Sequence, residues 1–170
     1  QTAARDIARD NKKKLNLQIE GGEARVDRSV LDALDDILLH LIRNAVDHGI
    51  ESPAERRRLS KPEYAKLSMR AHVVGDRILI EVEDDGRGID KEKVKAAAVA
   101  KKLITEKEAE QLEEEAALAL IFKPGFSTTE SASELSGRGV GMDVVRTNIQ
   151  EIGGAIRLDT TVGKGTIFIT

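Results

Sequence analysis

The sequence predicts an α/β protein, and three observations carry that prediction. Residues 15–19 alternate apolar and polar side chains, the signature of a strand with one buried face. Two further pairs of strand-like runs, 67–74 with 77–83 and 155–161 with 166–170, are each joined by a short glycine-containing turn. Between these runs lie segments whose apolar residues recur at helical spacing, the longest from Asp27 to about His48.

The elements follow in order. Residues 1–14 are polar and charged and read as a helical tail or arm. The strand at 15–19 ends at Gly21-Gly22. Asp27 is placed to cap the long helix, whose apolar stripe is Val30, Leu31, Leu34, Ile37, Leu38, Leu41, Ile42 and Ala45. Gly49 stops it, and a polar connection with Pro53 and Pro62 has room for a short helix. The hairpin 67–83 turns at Gly75-Asp76 and runs into Asp84-Asp85-Gly86-Arg87-Gly88. Asp90 caps a helix over about 91–102, and the Glu-rich stretch 106–122 is one or two more. Residues 123–141 are rich in Gly, Ser and Thr, and a loop of that length in a compact domain is commonly functional or mobile. A helix to about Ile152 and the final hairpin, turning at Gly163-Lys164-Gly165, complete the chain.

Composition narrows the function. With 40% hydrophobic and 34% charged residues the chain is a soluble globular sequence rather than a disordered one. The aromatic residues are Phe122, Phe126, Phe168 and Tyr64, too few for a base-stacking platform. A net charge of −3 forces no basic face, so nucleic acid is not an expected partner. Arg56-Arg57-Arg58, the densest basic spot, reads as a solvated helix face. Without cysteine there are neither disulfides nor thiol-zinc sites. No apolar run has the length of a membrane span and no signal peptide opens the chain, so the expectation is a cytoplasmic protein without membrane insertion. The 170 residues suit one domain, with neither internal repeat nor domain boundary. The missing initiator Met and the abrupt final strand suggest a segment of a longer protein.

Three clusters carry candidate chemistry. On the long helix His40, Asn44 and Asp47 stand at i, i+4 and i+7, within roughly 60° of arc, with His48 and Arg43 to either side. Such a stripe bordering an apolar face either lines a cleft or is a hydrated flank. A metal site made of His40 and His48 alone lacks a third nitrogen ligand. Asp84-Asp85-Gly86-Arg87-Gly88 puts carboxylates and two glycines at a strand end, where backbone can approach a ligand closely, though a surface turn reads the same way. Gly137-Arg138-Gly139-Val140-Gly141 precedes a helix, whose N-terminal N–H groups favour phosphate. It is not the dinucleotide fingerprint, and Gly163-Lys164-Gly165-Thr166 is not a P-loop.

The order of these clusters is more specific than any one of them. The stretches HLIRNAVDHGIE (40–51), EVEDDGRGID (81–90), KPGFST (123–128) and SGRGVGMDVVR (136–146) closely resemble the ATP-binding catalytic domain of the CheA family of chemotaxis histidine kinases. That family shares its nucleotide-binding fold with gyrase, Hsp90 and MutL. The resemblance runs from about Asn16 to the end of the chain. It implies a two-layer α/β sandwich, a mixed and largely antiparallel sheet with helices on one face, and ATP between the helices and a lid.

The resemblance also implies roles. Asn44 matches the asparagine that holds Mg2+ against the phosphates, and His40 a histidine near the terminal phosphate and the metal. Asp84 matches the aspartate that accepts a hydrogen bond from the adenine amino group, with Thr166 beside it. Gly86, Gly88 and Ile89 let the chain pass close to the nucleotide, and Asp47 and His48 extend the helix side of the pocket. Phe122, Phe126 and Ser127 border it, and Ser136, Gly137, Arg138, Gly139, Val140, Gly141 and Met142 form the lid and the helix start behind it.

The implied activity is transfer of the γ-phosphoryl group of ATP-Mg2+ to a histidine on a separate phosphotransfer domain. A coupling protein, chemoreceptors and response regulators are implied through domains outside this segment. The segment itself is expected to be monomeric and the full-length protein homodimeric. Gyrase- and Hsp90-like ATPases typically carry a water-activating glutamate where His40 stands, which sets this sequence against the hydrolytic-clamp alternative. A nucleotide sensor without catalysis has no distinguishing sequence feature.

Overall fold

The computed structural model describes residues 2–21, 28–126 and 141–170. They fall into two compact units, one of residues up to Ile89 together with Gly154–Thr170, the other Asp90–Gly153. In chain order the first unit runs α1 (Thr2–Asp10), β1 (Leu15–Glu20), α2 (Arg28–Asn44), a π-helical turn (Ala45–Gly49), α3 (Pro53–Arg58), β2 (Ala65–Val74) and β3 (Arg77–Asp84). The second holds α4 (Lys91–Ala100), α5 (Glu106–Gln111), α6 (Glu114–Ala119), a 3-10 turn (Leu120–Phe122) and α7 (Met142–Glu151). The chain then returns to the first unit as β4 (Arg157–Thr161) and β5 (Gly165–Ile169).

The five strands lie in the order β1-β2-β3-β5-β4. β1 pairs with β2 in parallel, and every other pair is antiparallel, as expected. The parallel pair needs a long crossover, which α2, the π turn and α3 supply. Alternation decides which face is covered. Leu67, Ile80, Val82, Leu158 and Phe168 are buried on one face, together with Asp84 and Thr166. The other face carries ions: Arg70 bridges Glu81 at 3.1 Å and Glu83 at 2.7 Å. α2 and the π turn therefore pack on the covered face, reaching β3 and β5 there. Ile37, Leu41 and Val46 are fully buried along that helix, each contributing roughly 1.5–3 kcal/mol.

Most element limits match the sequence reading, and the departures have physical causes. The long helix is α-helical only to Asn44, then widens into the π turn, closed by Ile50 N–H donating to the Ala45 carbonyl at 2.7 Å. Leu31, counted in the apolar stripe, is exposed at the outer end of the helix. Asp27, the expected cap, lies outside the described residues. The 106–122 stretch is three pieces rather than two, because a Thr105–Glu108 capping box starts one helix and the 3-10 turn ends the next. Strand β4 begins at Arg157, two residues later than expected. Arg56 is not on a solvated face. It is 1% exposed and anchored in an ion cluster, while Arg57 and Arg58 are exposed.

Candidate nucleotide-binding site

Strand β3 delivers Asp84 as its last residue, with Leu67 of β2 on one side and Thr166 of β5 on the other. Asp84 and Thr166 are cross-strand partners on the covered face, so their side chains stand next to each other. Asp84 is 5% exposed. Burial pushes its carboxyl up to about 6, helped by the negative charges of Asp85 and Glu51 and opposed by the Gly86 N–H and Lys61. The two oxygens differ. Oδ1 accepts the Gly86 N–H at 2.8 Å, while Oδ2 takes no hydrogen bond from the described residues. An ionised carboxylate with one oxygen engaged and the other available is an acceptor aimed at a ligand donor.

Thr166 has its hydroxyl direction set by neighbours. Thr160 Oγ1 accepts the Ile89 N–H at 2.9 Å and donates to the Gly165 carbonyl at 3.0 Å. Its one proton is thus used, so Thr166 Oγ1 is the donor in the 3.1 Å contact between the two hydroxyls. Thr166 keeps acceptor lone pairs beside Asp84. Two neighbouring acceptors suit an amino group and repel a carbonyl oxygen.

The glycine turn after β3 is shaped by close backbone approach. A Cβ on Gly86 would lie 2.3 Å from the Gly49 carbonyl oxygen and 2.7 Å from Asp84 Oδ1. One on Gly88, whose φ is +67°, would lie 2.2 Å from the Thr161 carbonyl oxygen. Arg87 N–H donates to the Gly49 carbonyl at 2.9 Å, and Gly163 N–H to the Arg87 carbonyl at 2.7 Å. The turn is therefore wedged between the end of the π turn and the β4–β5 hairpin. Gly49 itself sits against Asp84, since a Cβ there would be 3.3 Å from each carboxylate oxygen.

That contact joins the helix cluster to the strand cluster. His40 and Asn44 are half-buried one turn apart on α2, and the Asn44 amide N–H donates back to the His40 carbonyl at 3.2 Å. Asp47 and His48 fall in the π turn, where the wider winding rotates them off the stripe that an α-helix predicts. Asp47 accepts from the Asn11 side chain at 2.8 Å, and His48 is exposed. Lys13 reaches from the N-terminal arm to donate to the Val46 carbonyl and, at 2.9 Å, to that of Asp47. These carbonyls belong to the last turn of the helix, where carbonyls lack intrahelical partners, and burial lowers the Lys13 ammonium below its usual range.

Phe122, Phe126 and Met142 are buried within the second unit. Phe122 also lines a shallow groove there with Pro124, Val144 and Thr147. Gly141 is the N-cap of α7 without a side-chain cap. Ser127, Ser136, Gly137, Arg138, Gly139 and Val140 lie outside the described residues.

A family described as histidine kinase-, DNA gyrase B-, and HSP90-like ATPase matches residues 29–170, which include both the helix cluster and the Asp84 turn. The chain belongs to that family. ATP is the nucleotide named in that family's description. The chain is 48% identical over 96% of its length to a gliding motility regulatory protein of Myxococcus xanthus, covering 21% of that protein. It is 48% identical over 95% of its length to the sensor histidine kinase CheAY of Helicobacter pylori, covering 20%. It is 44% identical over 96% to the chemotaxis protein CheA of Bacillus subtilis, covering 24%. The chain thus spans about a fifth to a quarter of the length of these curated relatives. Among solved structures, the histidine kinase domain of the Erythrobacter litoralis EL346 blue-light activated kinase matches at TM-score 0.55 and 16% identity, over 98% of this chain and 58% of that one, a likeness of fold.

The sequence reading missed Gly49 and Thr160 as shapers of the site. Gly49 read as a helix stop, and its second role appears only when the π turn meets Asp84. For Thr160 the signal was present but unused, a hydroxyl directly opposite Thr166 in a hairpin already recognised.

Proposed function

We propose that residues 1–170 act as one ATP-binding catalytic domain of a chemotaxis-type histidine kinase, working within a longer cytoplasmic protein. The observation that carries the proposal is the asymmetric Asp84 carboxylate beside Thr166, with Oδ1 tied to the Gly86 N–H and Oδ2 turned to an incoming donor. The exocyclic amino group of adenine supplies that donor. The glycine turn brings backbone close enough for the base to lie against it.

The phosphates extend from there toward α2, whose Asn44 and His40 lie one turn apart. Mg2+ keeps several waters and takes one or two protein ligands together with substrate phosphates, so a single amide oxygen from Asn44 is a fitting donor set. Bound there, the ion would neutralise charge on the phosphate oxygens. His40 approaches the terminal phosphate with an imidazole where a water-activating carboxylate would favour hydrolysis. Phosphoryl transfer asks mainly for positioning and charge neutralisation, so His40 need not be a strong base.

The acceptor is a histidine on a separate phosphotransfer domain. Its imidazole nitrogen bonds to the γ-phosphorus as the bond from that phosphorus to the β,γ-bridging oxygen breaks. ADP leaves and the imidazole proton passes to solvent. The 41–48% identity to chemotaxis kinases supports this assignment, and with it a coupling protein, chemoreceptors and response regulators as partners of the whole, homodimeric protein. The test is incubation with γ-labelled ATP, Mg2+ and a chemotaxis-type phosphotransfer domain. Acid-labile label on the acceptor histidine, not formed when Mg2+ is chelated before ATP is added, is the expected result. Labelled inorganic phosphate without labelled acceptor would refute the kinase assignment.

A further inference from the structure

Beneath the Asp84 turn lies a buried ion cluster that no role above uses. Glu51, in the link before α3, and Arg56, on α3, are 2% and 1% exposed. Arg56 donates to Glu51 Oε2 at 3.0 Å, to Asp85 Oδ2 at 2.8 Å and to the Pro62 carbonyl at 2.6 Å. Lys61 donates to Glu51 Oε1 at 2.8 Å, to the Asp85 carbonyl at 2.9 Å and to the Gly86 carbonyl at 2.7 Å. An ammonium has three N–H donors, so Lys61 is saturated, and two of its three bonds go to backbone of the two residues that follow Asp84. Asp85 is held at its other oxygen by the Lys66 N–H at 3.0 Å.

Packing alone does not require this arrangement. Glu51 already pairs with Arg56, and replacing a buried ion pair by apolar side chains is often neutral or stabilising. The geometry of one peptide plane gives the cluster a purpose. The Asp85 carbonyl and the Gly86 N–H belong to the same planar trans peptide and point in opposite directions. Lys61 grips the carbonyl end, and Arg56 approaches the same oxygen at 3.4 Å. The N–H end is then aimed at Asp84 Oδ1, which it meets at 2.8 Å.

We propose that Lys61 and Arg56 are positioning residues for base recognition: by fixing the Asp85–Gly86 peptide they direct its N–H onto Asp84 Oδ1 and so present Oδ2 to the amino group of the purine. This rests on the reading that Asp84 meets adenine. Lys61 also places a positive charge near Asp84 that opposes the raising effect of Glu51 and Asp85. Removing it loosens the turn and disfavours the ionised acceptor together.

The test is a cycle of Lys61→Met, Asp84→Asn and the double variant, with ADP binding measured by titration calorimetry. Melting curves confirm folding, and Lys61→Gln serves if Lys61→Met does not fold. Lys61→Met should weaken ADP binding roughly tenfold, the effect of misaligning one hydrogen bond to a charged group. In the Asp84→Asn background it should change affinity by less than about twofold, because the group it positions is gone. Exchange of the Gly86 amide proton, followed by NMR in the nucleotide-free protein, should quicken in Lys61→Met. An equal loss from Lys61→Met in both backgrounds, or unchanged Gly86 exchange, would show a structural role only and overturn the proposal. Failure of the underlying reading looks different: Asp84→Asn alone would then bind ADP with wild-type affinity.

Discussion

Replacing Asp84 by Asn should weaken nucleotide binding and stabilise the empty protein, and both effects follow from the same burial. The Asp84 carboxyl is raised from 3.8 to about 6 because ionisation in a nearly closed site is costly. That shift of about two pH units corresponds to roughly 3 kcal/mol, at 1.36 kcal/mol per unit. The folded pKa lies above the unfolded one, so the stability that the neutral Asp84 carboxyl contributes is fully present below about 3.8. Stability is then lost as pH rises through about 6, beyond which the penalty is constant. Asn cannot ionise and retains an oxygen for the Gly86 N–H. The difference in unfolding free energy between Asp84→Asn and wild type should therefore grow in the variant's favour by roughly 2 kcal/mol between pH 4 and pH 7. ATP affinity should fall in the variant by about ten- to a hundredfold, since an amide N–H replaces the Oδ2 acceptor and a bond worth ~1.5–3 kcal/mol is lost. Urea unfolding across pH and calorimetric titration check the two halves. A difference in stability that does not change with pH would refute the burial argument.

Other expectations follow from neighbouring residues. Arg56→Met leaves Glu51 and Asp85 without their guanidinium and should cost ~3–5 kcal/mol in urea unfolding, far more than Arg57→Met on the exposed side of α3. Gly86→Ala drives a methyl into the Gly49 carbonyl, so it should destabilise the fold by ~1–3 kcal/mol and abolish measurable ATP binding; near-normal affinity would show that the turn can yield. His40→Gln keeps polar reach but loses the imidazole. It should leave ATP affinity within a few-fold while slowing transfer to the acceptor histidine by at least ~10²-fold, and a normal transfer rate would reduce His40 to a polar flank.

Legibility followed locality. Asp84 was readable because Ile78, Ile80 and Val82 alternate into it and the glycines follow directly, all within one hairpin. The sheet's mixed character came with the family resemblance, and the β1–α2–β2 crossover explains it. The π turn was not readable, because apolar spacing cannot separate one extra residue per turn from a regular helix end. What holds it is distant: Lys13 and Asn11 meet carbonyl and carboxylate groups more than thirty residues away in the chain. Arg56 was misread for the same reason. A run of three arginines signals solvent, and only folding brings Glu51 and Asp85 to the first of them. The helix stripe was half right, since Asn44 stands one α-helical turn from His40 while Asp47 belongs to the wider turn and to Asn11.

If the Asp84–Thr166 pair reads the amino group of a purine, parallel titration of the wild-type protein with ATP and GTP at pH 7.5 must separate the two nucleotides. Guanine presents an oxygen where adenine presents the amino group, so two acceptors would face the carboxylate and Thr166. ATP should bind at least about tenfold more tightly than GTP, the lower end of one charged hydrogen bond lost. Equal affinities for the two nucleotides would contradict the account, whatever else the domain transfers.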